Sequence, residues 1–296
     1  MPSTEHPTEI VLARPPALLP CYARALLPRR RPPGRPLPTR TLRLPTIPRE
    51  PARLRAYAEL CGFHGAFADA RLLPATYPQL FAFPLTMRLL TAGDFPHPPL
   101  GLVHLANEIE QARPLAADEE LGVAVRAGAT EPHPRGTAFD VVAVVRDARG
   151  AVVWRSTSTY LRRHGAVTAG ERAPAEAEPD LNAPTWTESW PLPADLGRRY
   201  ARVSGDRNPI HLHPLTARPF GFRRPIAHGM WSKARALAAL AATLPETFTA
   251  RVRFRAPAEL PSRPTFAAAP SDGGQAFRLT GEDGRPLLTG EITAPV

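Results

Sequence analysis

The chain is poor in cysteine, lysine and long apolar runs, and each shortage excludes something. Two cysteines, Cys21 and Cys61, rule out a disulfide scaffold and a Cys-rich zinc module. No stretch of about 18 apolar residues occurs, so no transmembrane helix is expected. The N-terminus lacks the charged start, apolar core and small-residue cleavage site of a secretory signal, which makes the cytoplasm the expected compartment. There is no G-x-G-x-x-G, Walker loop or G-x-S-x-G elbow, which argues against nucleotide, hydride and triad-hydrolase chemistry. Lysine is nearly absent: of 37 basic residues only Lys233 is not arginine. Acidic residues are scarce at one end, where residues 1–55 carry 11 Arg against 3 Glu, whereas the remainder is close to balanced. The first 51 residues also hold 13 of the 38 prolines. The net charge of +10 therefore describes an N-terminal Pro/Arg arm, residues 1–35, more than the folded body. This composition favours an extended segment lying over the surface. Arg29-Arg30-Arg31 is short and has no interleaved aromatics, which weakens a nucleic-acid reading.

Beyond the arm, the chain is globular in composition and repeats itself. Residues 166–184 are small, acidic and proline-containing with no apolar period, and read as a linker between a first half, 36–165, and a second, 185–296. The first contains Pro51-Ala-Arg-Leu-Arg-Ala-Tyr57-Ala58-Glu-Leu-Cys61-Gly62. The second contains Pro193-Ala-Asp-Leu-Gly-Arg-Arg-Tyr200-Ala201-Arg-Val-Ser204-Gly205. In both, a short strand pattern precedes (Leu42 and Leu44; Trp186 and Trp190), and glycine closes a short helix as a C-terminal cap should. A longer helix follows in each, about 80–91 and 229–244. Strand patterns come next: Leu102–Ile109, Leu121–Arg126, Phe139–Arg146 and Val152–Leu161, then Thr247–Arg255, Thr265–Ala268, Ala276–Thr280 and Leu287–Thr293. Arg149-Gly150, Gly273-Gly274 and Asp283-Gly284 mark hairpins. Each half is thus α+β: a strand, a helix and an antiparallel meander wrapped on a long helix.

The segment Tyr200-Ala-Arg-Val-Ser204-Gly-Asp206-Arg-Asn208-Pro209-Ile210-His211-Leu-His213-Pro214 concentrates chemistry. Asn208 precedes proline and is pushed out of the helical region, so Asp206 and His211 share a stiff loop rather than a helix face. A carboxylate and an imidazole held toward one point can activate water and move a proton near neutral pH. Further on, Ala227-His228-Gly229-Met230 opens the long helix. The Gly229 N–H, at a helix N-terminus, can stabilise negative charge on a carbonyl oxygen, and the missing side chain lets such a group approach closely.

This segment, with Gly221-Phe222-Arg223-Arg224-Pro225-Ile226-Ala227-His228-Gly229-Met230, resembles the MaoC-like, hydratase-2 branch of the hot-dog superfamily. The match is nearly complete; His213 departs from the Asp or Asn common at that place. Leu73-Pro74-Ala75-Thr76-Tyr77-Pro78 and Phe83-Pro84 extend the likeness to the double-hot-dog (3R)-hydroxyacyl-thioester dehydratases of actinobacteria, over about residues 37–296. The resemblance implies two tandem hot-dog units and a hydro-lyase of fatty-acid or polyketide metabolism. Its substrates would be trans-2-enoyl thioesters of CoA or acyl-carrier protein, and no cofactor or metal is implied. It implies Asp206 and His211 as the catalytic pair and Gly229 as oxyanion donor. Asn208, Ser204 and His228 would support them, and Pro225, Ile226, Met230 and Tyr77 would contact substrate. In the repeat, Asp206 aligns with Phe63, His211 with Ala68 and Gly229 with Pro84, so the first half reads as a non-catalytic copy that supplies the acyl pocket.

His211-x-His213 could start a metal site, but the sequence offers no evident third ligand. Tyr57, Tyr77 and Tyr160 read as core or pocket wall, Cys61 as a small buried cap residue in the place of Ser204, and His228 as support for the turn before Gly229. A hot-dog thioesterase would share the fold, and a non-enzymatic acyl-thioester or polyanion-binding protein would use the arm. No nucleic-acid or membrane partner is expected. The two copies can pair within one chain, and a homodimer is compatible with that.

Overall fold

The computed structural model describes residues 8–27, 35–164, 181 and 184–295. The triplet Arg29–Arg31 and most of the linker lie outside these. Among the described residues no helix is long and apolar enough to cross a membrane.

The arm is not merely extended. It forms a short strand, β1 (Glu9–Val11), and a nine-residue helix, α1 (Leu18–Leu26). β1 pairs in parallel with β2 (Thr41–Leu44), and α1 buries Cys21 and Ala25 while lying against the helix α3 described below. Cys21 and Ala25 sit four apart and so share one helix face, which gives the arm a small apolar seam with which to dock.

The first half continues with α2 (Pro51–Cys61), β3 (Leu72–Leu73) and α3 (Pro78–Leu90). Its strands are β4 (Val103–Gln111), β5 (Leu115–Ala116), β6 (Leu121–His133), β7 (Gly136–Asp147) and β8 (Val152–Arg163). The second half has β9 (Trp186–Ser189), α4 (Leu196–Ser204), a 3-10 turn at Pro209–His211, α5 (Pro214–Ala217) and α6 (Gly229–Ala239). It ends in β10 (Phe248–Phe254), β11 (Thr265–Ser271), β12 (Gly274–Thr280) and β13 (Pro286–Thr293). The main elements fall where the periodicity places them, but β6 runs past Arg126 to His133, α6 stops at Ala239 and yields to a 3-10 turn at Ala241–Thr243, and β3, β5 and α5 were not expected.

Eleven strands form one sheet in the order β1-β2-β6-β7-β8-β4-β10-β13-β12-β11-β9. The two halves meet where β4 pairs antiparallel with β10, Ala250 opposite Ile109 and Val252 opposite Asn107. α3 lies on β2, β6 and β7. α6 is held to the seam by Lys233, which is fully buried and donates to Asn107 O (3.0 Å), Asn107 Oδ1 (2.7 Å) and Ala250 O (2.8 Å). Burial pulls the Lys233 pKa well down. Three acceptors nonetheless match the three protons of an ammonium, so the geometry compensates the desolvation. Asn107 passes the tie on to Ser156 and Ser158 of β8 (2.8 and 3.0 Å). The one lysine of the chain therefore joins the helix that begins at Gly229 to strands of both halves.

The copies are alike in backbone detail. α2 and α4 end on Gly62 and Gly205, at φ of +80° and +81°, a conformation that favours glycine. The structure revises one repeat equivalence. Pro84 lies inside α3, and the residue that starts α3, as Gly229 starts α6, is Pro78. Pro74 then matches Pro225 and Tyr77 matches His228. Proline has no N–H, so the helix start of the first half still offers no oxyanion donor.

Candidate active site

Asp206 follows the Gly205 cap and sits in a loop whose backbone is tied at each step. Its N–H donates to Ser204 Oγ (3.1 Å), and its Oδ1 accepts from the Asn208 N–H (3.0 Å). Asn208 is thus a positioning residue through its backbone, while its side-chain oxygen accepts from Ile210 N–H and starts the 3-10 turn that carries His211. Gly197 of α4 allows this turn to pack close: a Cβ there would lie 1.9 Å from the His211 carbonyl oxygen.

His211 is buried and its Nδ1 lies 2.7 Å from Ile226 O. A carbonyl only accepts, so Nδ1 carries the proton and Nε2 keeps its lone pair. His228 stacks on His211 with ring centroids 3.7 Å apart, and its Nε2–H donates to Asp206 O (3.0 Å). Its Nδ1 is buried without a hydrogen-bond partner. His228 therefore does more than hold a turn: it forms one wall of the pair's enclosure. The side chain of Asp206 keeps 30% of its surface accessible, so the carboxylate looks into an opening.

Burial, the dominant influence, raises the Asp206 pKa above the ordinary carboxylate value, against the pull of His211 and the Asn208 N–H. Burial also lowers His211, opposed by the charge of Asp206, and lowers His228 well below the usual imidazole range. Burial thus works against the charged form of each member.

Asp206, His211 and His228 each offer a ligand-type atom, and these lie within 4.8 Å of one another. His213 is not part of the cluster; it caps α5 by accepting from Leu215 N–H. The two imidazole planes are 28° from parallel and stacked, so their in-plane lone pairs run side by side rather than to one point. One nitrogen of each ring is also engaged by a carbonyl. The cluster suits proton transfer better than ligation.

Gly229 is the first residue of α6, with His228 as its N-cap, and so has no acceptor one turn earlier in the helix. The ring of Phe254 covers it: a Cβ would lie 2.7 Å from Phe254 Cε1. From Phe254 an aromatic run continues across strands of the first half. His104 lies 4.7 Å from Phe254, Tyr160 4.7 Å from His104, and Phe139 5.9 Å from Tyr160. The Tyr160 hydroxyl is pushed up to about 12, chiefly by burial and then by the negative charge of Asp206. Sequence reasoning named Tyr160 as wall but missed His104 and Phe254. Strand alternation gives no signal for residues that meet only because β4 and β10 are neighbours.

The residues expected at the substrate divide in two. Pro225 and Ile226 are buried in the turn before Gly229, and Met230 is half-buried one residue after it. Tyr77 is not with them. It meets Tyr57 edge to face (5.2 Å), which contacts Tyr200 (6.1 Å), which in turn contacts His228 (4.8 Å). It lines a recess of the first half with Ile47, Leu54, Phe81 and Leu121.

Two units of antiparallel sheet wrapped on a helix, with an Asp/His pair facing a helix N-terminus, define a class, and the chain belongs to the MaoC-like hot-dog dehydratase family. Residues 172–273 match the MaoC like domain. The 3-hydroxyacyl-thioester dehydratase X of Mycobacterium tuberculosis is 37% identical over 258 residues, 86% of this chain and 90% of that protein. The crystal structure of HtdX from the same organism superimposes with a TM-score of 0.74 at 33% identity, covering 86% of this chain and 100% of that one. A MaoC-like dehydratase from Phytophthora capsici shares the fold at 20% identity, with a TM-score of 0.67 over 86% and 95% of the two chains.

Proposed function

We propose that the protein is a (3R)-hydroxyacyl-thioester dehydratase that adds and removes water reversibly across the C2=C3 bond of trans-2-enoyl thioesters. Asp206 and His211 would be its catalytic pair and Gly229 its oxyanion donor. The observation that carries the residue assignment is the free Nε2 of His211 beside a partly accessible Asp206, both tied by hydrogen bonds through their neighbours.

In hydration, water lies between Asp206 and His211. Its oxygen bonds to C3 while His211 Nε2 takes one of its protons. The C2=C3 electron pair moves toward the thioester oxygen, where the Gly229 N–H stabilises the enolate charge; one such donor is worth about 10²–10³ in rate. Asp206, in its protonated form, delivers a proton to C2, and proton return from His211 to Asp206 resets the pair. Dehydration runs the same steps backward. The second half, 185–296, carries this chemistry. The first, 36–165, is a non-catalytic copy whose His104, Phe139 and Tyr160 wall the substrate channel. Acyl thioesters of CoA or of a carrier protein are the substrates.

The test is to follow the enoyl chromophore with C4, C8 and C12 trans-2-enoyl-CoA and to determine the configuration at C3. Loss of the chromophore with a (3R) product and no free thiol is expected. Thiol release with the enoyl group intact would make the protein a thioesterase instead.

A further inference from the structure

The arm reaches the loop that carries Asp206. The Tyr22 hydroxyl, on α1, donates to Gly205 O (3.0 Å) and accepts from the Arg207 N–H (2.6 Å). Those peptide groups lie on either side of Asp206. One hydroxyl, more than 180 residues away in sequence, thus bridges the loop across its central residue. The contact is reinforced by packing. Gly205 is at φ +81°, and a Cβ on it would lie 2.7 Å from Leu18 Cδ1 of α1 and 4.0 Å from Phe83 Cδ1 of α3. Cys21 and Ala25, on the buried face of α1, fix the helix so that the half-buried Tyr22 meets the loop. The burial and the negative charge of Asp206 push the Tyr22 hydroxyl above its ordinary pKa, consistent with its place beside that carboxylate. Within the second half the loop is tied by Ser204, Asn208 and His228, and Arg53 of α2 holds the end of α4 just before it by donating to Val203 O (2.6 Å) and Ser204 O (3.4 Å). Tyr22 alone among these bridges the two peptide groups that flank Asp206.

We propose that Tyr22 is a positioning residue for Asp206, and that α1 is a working part of the catalytic apparatus rather than a tether. This rests on the reading of Asp206 as catalytic. Without the hydroxyl, Gly205 O and the Arg207 N–H lose a shared partner and the loop can relax around Asp206. A displacement of about 1 Å in a catalytic group costs up to about 10²-fold in rate.

The experiment uses the full-length protein and Tyr22→Phe, which keeps the ring and its packing. With crotonyl-CoA, kcat is expected to fall about tenfold while KM stays within about twofold, the pattern of a lost transition-state interaction. Amide exchange at Arg207 is expected to accelerate at least about tenfold, since its acceptor is gone. A kcat within twofold of wild type, or unchanged exchange at Arg207, would overturn the proposal. A purely structural arm would lower the melting temperature and leave kcat alone, which also overturns it. The exchange measurement needs no turnover. If wild-type protein hydrates no enoyl thioester, the functional reading fails, while the brace itself is still decided by exchange.

Discussion

Trp154 and His211 perform the same structural task in the two halves. Trp154 Nε1 donates to Ala75 O at 2.7 Å, and His211 Nδ1 donates to Ile226 O at 2.7 Å. Ala75 and Ile226 occupy matching places, each one residue past a matched proline and three before the helix start. The second half satisfies its carbonyl with a ring that has another nitrogen to spare; the first uses an indole, which has none.

Trp154→Phe should therefore be a stability variant only. It leaves the buried Ala75 carbonyl without its donor, at a cost of about 1–3 kcal/mol. Urea unfolding should show that loss, while kcat per folded enzyme stays at the wild-type value. A large fall in kcat would mean that the first half takes part in the chemistry.

Asp206→Asn retains an oxygen for the Asn208 N–H and should fold normally, yet lose at least about a hundredfold in crotonyl-CoA hydration. His211→Ala should lose as much in rate and also cost about 1–3 kcal/mol, because Ile226 O loses its donor. Turnover near wild type in either variant would refute the assignment of the pair.

Gly229→Ala places a methyl against Phe254 and into the approach to the helix N-terminus. We expect a drop of about tenfold or more in kcat/KM, because a misplaced reacting group is costly at this scale. Phe254→Leu in the same chain should recover melting temperature by making room for the methyl. It should not recover activity, since the methyl still blocks the thioester.

The histidines set an acid limit. His104, His211 and His228 all have pKa values lowered by burial, His104 to about 3. Unfolded, each binds a proton near the ordinary 6.5. The unfolded state thus gains protons that the folded state refuses, so stability is full above pH 6.5 and falls as the pH drops below it. Asp206 has the opposite sign: its raised value makes ionisation oppose folding as pH rises through it. The urea midpoint should be lower at pH 5.5 than at pH 7.5. Equal midpoints would contradict buried neutral histidines. The lowered His211 also keeps Nε2 unprotonated just below pH 6.5, so hydration should persist there and fail only at lower pH.

Much of the fold was legible because its signals are local. Alternation marks β10, the repeat of Tyr57…Gly62 in Tyr200…Gly205 marks the duplication, and each glycine cap is required by a left-handed φ. The loop carrying Asp206 and His211 and the helix start at Gly229 were legible for the same reason, since they fall within one short stretch around a proline. The arm misled because its composition, rich in Pro and Arg, hides a short helix whose only apolar seam is Cys21 and Ala25. The place of Tyr77 was not legible, because its route to His228 runs through Tyr57 and Tyr200, a contact chain between halves that no local pattern connects.

By itself, then, the amino-acid sequence determined the α+β duplication, the loop carrying the Asp/His pair and the helix start beside it, since each is encoded by neighbouring residues. Only the tertiary structure decided that His228 stacks on His211, that His104 and Phe254 meet over Gly229, that Lys233 ties α6 to both halves, and that Tyr22 grips the loop at Asp206. Those contacts join residues from about 17 to 185 apart. They exist because β4 pairs with β10 and α1 docks on α3, and close packing then brings together groups that no local pattern connects.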